Sequence, residues 1–269
     1  MGMSAQVAFS SLLAFFPAMV FLVGLLDLIS AYETLQEFLA PVAPGDVLET
    51  IDTLQKETSK GTSLIAFLVG AAGATWAASG AMNAVIKAVN RAYDRVETRP
   101  FWKTRLVAIV LVALTGLVLA GLLLLIVFGG PLGTAIADKA HLGGAFELFW
   151  AVLRWPIAFV AILLFFALVY YLAPNTDARN WTWLTPGSLV GSVSWLVLSG
   201  LFALYTSFSD SYSKTYGALA SGIVLLLWLN YSAFALLFGA ELNSELDKQA
   251  EIRAAGGEDA GLVKPSRRT

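Results

Sequence analysis

The chain has 269 residues, 58% of them hydrophobic and only 13% charged, and its mean hydropathy is +0.73. Soluble domains run at about 45–50% apolar and about 25% charged, so this balance identifies an integral membrane protein. The absence of cysteine and the single histidine, His141, exclude disulfides, thiolate chemistry and histidine-cluster metal sites, while a net charge of -2 informs only once it is sorted by loop.

A helix needs about 20 apolar residues to cross the hydrocarbon. Six segments meet that length, predicting an all-α fold with transmembrane helices over about 5–26, 63–89, 106–128, 148–173, 186–208 and 218–240. The first is uncharged before Asp27 and contains Pro17, where a kink is expected; without a charged start it does not read as a cleavable signal. Between the first two helices, Asp46 and Glu49 have capping-box spacing, and Val47, Leu48, Ile51 and Leu54 repeat as one face of a short amphipathic helix over about 46–58.

The second helix presents Gly70, Gly73, Ala74, Ala77, Ala81, Ala84 and Ala88 at helical spacing, a flank that admits close approach of another backbone. Asn83, Lys87, Asn90 and Asp94 stack on one face, and the helix runs into a basic segment carrying Arg91, Arg95, Arg99, Lys103 and Arg105. The third helix is uncharged and is expected to stop at Gly129, Gly130 and Pro131. Arg154 lies one or two turns inside the start of the fourth, which ends at Pro174. Gly187 and Gly191 form a GxxxG pair in the fifth, a close-packing signal within or between protomers. The sixth contains Asn230 and leads to Glu241 and Asn243, with Glu241 placed to pair with Arg91 or Arg95. Residues 1–254 form the membrane domain, and 255–269 read as a disordered tail.

Lys and Arg concentrate between helices two and three and in the C-terminal tail, whereas the first connection is acidic. The positive-inside rule therefore predicts both termini in the cytoplasm, with the amphipathic 46–58 segment external.

Four stretches carry a family resemblance: VAFSSLLAFFPAMVFLVGLL, TWAASGAMNAVIKAVNRAYDRVETRPFWKTR, YYLAPN with WLTPGSLVGSVSWLVLSGLFALY, and YSKTYGALASGIVLLLWLNYSAFALLFGAELNSEL. They resemble the YihY/virulence factor BrkB family of bacterial inner-membrane proteins. The start departs from that pattern, since family members tend to carry a cytoplasmic segment before the first helix. The resemblance implies a six-helix bundle, a label of ribonuclease BN on some members and envelope phenotypes for others.

The residues do not support the nuclease label, because metal-dependent cleavage needs clustered His and Asp ligands. No nucleophile–base pair and no phosphate-binding loop is visible, so no catalytic residue, metal or cofactor is expected. Polar groups at membrane depth remain, and these are costly enough to mark function. The candidate binding or cavity-lining set is Asn83, Lys87, Asn90, Arg91, Arg154, Tyr205, Tyr212, Lys214, Tyr216, Asn230 and Glu241. Snorkelling by Arg154 and interhelical hydrogen bonding by Asn83 are the bland alternatives. The expected function is a transporter or flippase-like protein for an anionic, amphipathic envelope molecule. A non-transporting scaffold is the competing reading, and an enzyme acting on lipid the third. The expected partners are membrane lipids and a second copy of the chain, with no nucleic acid.

Overall fold

The computed structural model describes residues 2–28, 63–140, 143–176, 184–207 and 218–254. Every element among them is a helix. They are α1 (Gly2–Leu28), α2 (Ser63–Ala92), α3 (Phe101–Leu123), a π-helical segment (Leu124–Phe128), α4 (Gly129–Ala140), α5 (Gly143–Leu172), α6 (Pro186–Ser207) and α7 (Ala218–Ala254). Four stretches are long and apolar enough to cross a membrane: Phe101–Ile126, Gly143–Leu172, Pro186–Thr206 and Gly222–Arg253. Gly2–Ala18 is a shorter apolar helix. The predicted segments over 46–58 and 255–269 lie outside the described residues, as do Tyr212, Lys214 and Tyr216.

The small-residue flank of α2 is used as its sequence suggests. Helix α1 lies antiparallel along it, with Val7 clustered with Ala84 and Ala88, the Pro17 Cβ 3.8 Å from where a Cβ on Gly73 would stand, and the Phe21 and Phe67 rings 5.5 Å apart. Without bulky side chains on α2, the two backbones approach closely enough for dispersion contacts to replace a hydrophobic driving force that lipid does not provide. Helix α7 completes this corner through Ala233. A second core joins α2, α3, α5 and α7 through Ile86, Val89, Leu111, Phe166, Val169 and Ala240.

Two expectations are corrected. Gly129-Gly130-Pro131 does not end the helical run; α3 passes into the π-helical segment and α4 follows at once. Pro131 stands three residues after the π-helical segment inside a continuous run, so it removes one N–H from the ladder without ending the helix. Helix α5 begins at Gly143, whose φ of +68° suits a residue without a Cβ, rather than near residue 148. Arg154 is thereby about 16 Å along the helix from its first residue, not one or two turns inside it.

Candidate functional site

Helix α2 ends in a Schellman turn. Arg95 N–H donates to the Asn90 carbonyl (2.8 Å), Asp94 N–H donates to the Arg91 carbonyl (3.2 Å), and Asp94 takes a left-handed φ of 50°. The polar line Asn83–Lys87–Asn90–Asp94 is therefore cut: Asp94 leaves the face and its carboxylate accepts a hydrogen bond from Lys248 on α7 (2.7 Å). That ammonium holds the Asp94 carboxyl below its ordinary pKa.

Asn90, only 3% exposed, lies at the centre of a polar clasp. Its Nδ2 donates to Glu97 Oε2 (2.8 Å), and its Oδ1 accepts the backbone N–H of Asn175 (2.7 Å). Arg99 forks onto Glu97, Nε to Oε1 at 2.8 Å and Nη2 to Oε2 at 2.6 Å, and Nη2 also donates to the Ala173 carbonyl at 2.8 Å. Asn175 returns two bonds to the turn, to the Val96 carbonyl and to Thr98 Oγ1, both 2.8 Å. The bidentate guanidinium holds the Glu97 carboxyl below its ordinary pKa. The clasp ties the α2–α3 turn to the chain leaving α5, and Arg99 Nη1 is buried within it without an acceptor.

Beside it, Asn243 of α7 caps α6. Its Oδ1 accepts the Gly187 N–H (2.8 Å), and its Nδ2 donates to Thr185 Oγ1 (2.9 Å). Thr185 and Ser188 exchange backbone-to-side-chain bonds of 3.1 Å each, and Pro186 opens the helix. Burial pushes the neighbouring Tyr93 phenol to about 12, against the lowering effect of its hydrogen bond with Asn243. The GxxxG pair is spent inside the protomer. A Cβ on Gly187 would collide with the Gly239 carbonyl of α7, and one on Gly191 would stand 2.7 Å from the Tyr170 hydroxyl. Tyr170 itself donates to the Leu236 carbonyl (2.7 Å), while Trp195 and Trp228 donate across the same crossing to Ser232 and Ser199.

Arg154 occupies a different place. A cleft of about 430 Å³ opens between α4 and the first half of α5, lined by Gly130, Gly133, Thr134, Gly144, Glu147, Leu148, Trp150, Ala151 and Arg154. Its floor is glycine: Arg154 Nη1 is 3.6 Å from where a Cβ on Gly130 would stand, and a Cβ on Gly133 would strike the Trp150 ring. Trp150 is held by donating its indole N–H to the Gly129 carbonyl, beside the π-helical segment. Arg154 Nε is buried without a hydrogen-bond acceptor, and the guanidinium stands 5.6 Å from the Trp155 ring centroid. Pro156, lacking an N–H, leaves the Val152 carbonyl without its usual helical donor. A buried guanidinium donor with room beside it favours an oxyanion.

Among the described residues, the predicted set divides between this cleft and other places. Arg154 lines the cleft and none of the other predicted residues do. Asn83 and Asn230 are half-buried, each with a buried Oδ1 that lacks a donor. Lys87, Arg91 and Glu241 are exposed, and Tyr205 is exposed beside the Phe202 ring. Glu241 makes no ion pair with Arg91 or Arg95 among the described residues; the charge of Arg95 acts on Asp247 instead. Sequence reasoning missed Glu97, Arg99, Thr185 and Asn175. Asn175 and Thr185 lie in the YYLAPN and WLTPGS stretches, which carried the family resemblance but gave no role to either residue.

Long apolar helices packed through glycine and alanine, with polar side chains spent on helix ends, define a multi-pass all-α membrane protein. The chain belongs to the Virulence factor BrkB family, whose profile matches residues 1–261. It is 30% identical to the ribonuclease-like protein YfkH of Bacillus subtilis over 256 residues, covering 93% of this chain and 90% of that protein. Shorter matches relate it to UPF0761 membrane proteins, at 31% identity over 94 residues in Idiomarina loihiensis and 36% over 97 in Alteromonas mediterranea. These cover 35% of this chain in each case, and 33% and 32% of the respective relatives. No solved structure matches the chain.

Proposed function

We propose that the chain is a transporter or flippase-like carrier of an anionic, amphipathic envelope molecule, with six spans in a bacterial inner membrane and both termini cytoplasmic. The observation that supports this most is the Arg154 cleft: a cation with a buried, unanswered donor, a glycine floor and about 430 Å³ of space. A charge in that setting is costly unless an anion visits it. Glu147 on the cleft's rim disfavours multiply charged anions and leaves a singly charged headgroup as the best fit.

A scaffold that organises envelope enzymes is the second reading, favoured by the clasp, whose polar groups are nearly all paired internally. Nuclease activity is not proposed, since the sequence offers one histidine and no cysteine as ligands. Reconstitution into liposomes with a headgroup-labelled phosphatidylglycerol separates the readings. A carrier moves the label between leaflets faster than empty liposomes do and slows on Arg154→Gln. A scaffold leaves both rates at the empty-liposome value.

A further inference from the structure

The α2–α3 hairpin carries a second cation arrangement, which the cleft does not use. Arg105 Nη2 donates to the Trp76 carbonyl of α2 at 2.9 Å, and its guanidinium carbon stands 4.1 Å over the Trp76 ring centroid. The same carbonyl also accepts Ser79 Oγ at 2.9 Å. Gly80 gives Arg105 room, with Nη1 4.0 Å from where a Cβ would be. Nearby on α3, Lys103 Nζ lies 5.3 Å from the Trp102 ring centroid. Trp76 is 68% exposed and Trp102 62%, so these rings face the surroundings rather than the bundle.

Among the described residues neither cation has a counter-charge. Residues 63–92 and 98–137 contain no Asp or Glu at all. The two acids between them are already engaged, Asp94 by Lys248 and Glu97 by Arg99. Among the described residues Arg105 and Lys103 form no ion pair, and Arg105 makes no other hydrogen bond. Yet Arg105 lies within the apolar stretch Phe101–Ile126. A guanidinium fixed there by a carbonyl and an indole keeps its remaining N–H donors without a protein acceptor among the described residues.

We infer that this hairpin face binds the phosphate of an anionic phospholipid, at the leaflet nearest the α2–α3 turn. The free guanidinium donors suit a phosphodiester oxygen, and Lys103 adds a point charge. The Trp102 indole, at the start of the apolar run of α3, sits at the headgroup–acyl boundary, and exposed Leu106 and Val110 continue the face toward the acyl chains. A choline or ethanolamine headgroup would bring its own cation against Lys103, so selectivity for a net negative lipid follows from charge alone.

The test is thermal unfolding of the detergent-purified full chain titrated with phosphatidylglycerol, phosphatidylcholine or inorganic phosphate. Phosphatidylglycerol should raise the midpoint, while phosphatidylcholine and inorganic phosphate should not, the latter because it lacks the acyl contact. Arg105→Gln should weaken the apparent affinity about fivefold, and Lys103→Gln by a similar factor. The Lys103 side chain makes no hydrogen bond among the described residues, so its variant tests the inference even if Arg105→Gln does not fold. Phosphatidylglycerol also meets the Arg154 cleft, so the titrations are repeated in an Arg154→Gln background. There the weakening by Lys103→Gln and Arg105→Gln should persist; its disappearance would assign the binding to the cleft instead. Equal stabilisation by phosphatidylcholine, or undiminished phosphatidylglycerol affinity in Lys103→Gln, would overturn the assignment.

Discussion

The backbone N–H of Asn175 donates to Asn90 Oδ1 at 2.7 Å, across 85 residues of sequence. One amide side chain thereby satisfies both the chain leaving α5 and, through its Nδ2, the carboxylate of Glu97. Because Asn90 is buried, nothing in solvent can replace it. Asn90→Ala should lower stability by about 1–3 kcal/mol, the cost of leaving buried polar partners unmet. The midpoint of thermal unfolding in detergent measures this, and an unchanged midpoint would show that the clasp contributes nothing.

Acid should open the same clasp. The Glu97 pKa is lowered in the folded chain, so its contribution is full above the ordinary glutamate value. That contribution fades as pH falls below about 4.3 and is lost once Glu97 protonates in the folded state. Unfolding midpoints across this range should fall more steeply for the native chain than for Glu97→Gln. Parallel curves would assign the acid sensitivity elsewhere.

The α6–α7 crossing should tolerate no added methyl. Gly187→Ala forces Cβ into the Gly239 carbonyl, and overpacking of this kind costs about 1–3 kcal/mol. Gly200→Ala on the same helix meets nothing within 4 Å and should be neutral or stabilising. Comparison of folded yields and midpoints decides it. Equal behaviour of the two variants would mean the helices separate freely.

These contrasts show how far the sequence could be read. The helices were legible because apolar runs of spanning length leave few alternatives, and the glycine and alanine flank of α2 marked a face for close approach without naming α1 as the helix that takes it. Local punctuation was less reliable. Gly129-Gly130-Pro131 reads as a stop, yet a π-helical segment carries the run past it into α4. The clasp was hidden for another reason. Glu97, Arg99 and Asn175 lie in turns with no periodicity, and their partnership exists only after α5 returns beside α2. Asn90, expected near a cavity mouth, is instead buried at the centre of that partnership. Arg154 was visible as a charge in an apolar helix, but its depth depended on where α5 begins.

The cleft can be narrowed without touching its charge. Gly133→Ala drives a Cβ into Trp150 and should displace the indole into the space beside Arg154, whereas Gly144→Ala meets nothing within 4 Å. The native chain has no cysteine, so a single Ala151→Cys reports access to the cleft. Its modification by a cationic thiol reagent should slow in the presence of dodecyl phosphate, and should be slow from the outset when Gly133→Ala is added. Rates indifferent to both changes would mean the cleft does not admit an amphiphile.

Translocation itself is the most direct measurement. In proteoliposomes carrying a headgroup-labelled phosphatidylglycerol, the native chain should move label between leaflets well above the empty-liposome rate. Arg154→Gln should bring that rate close to background, and Arg154→Lys, which keeps the charge but loses the fork, should fall between. Native and Arg154→Gln proteins that both match empty liposomes would contradict the carrier account.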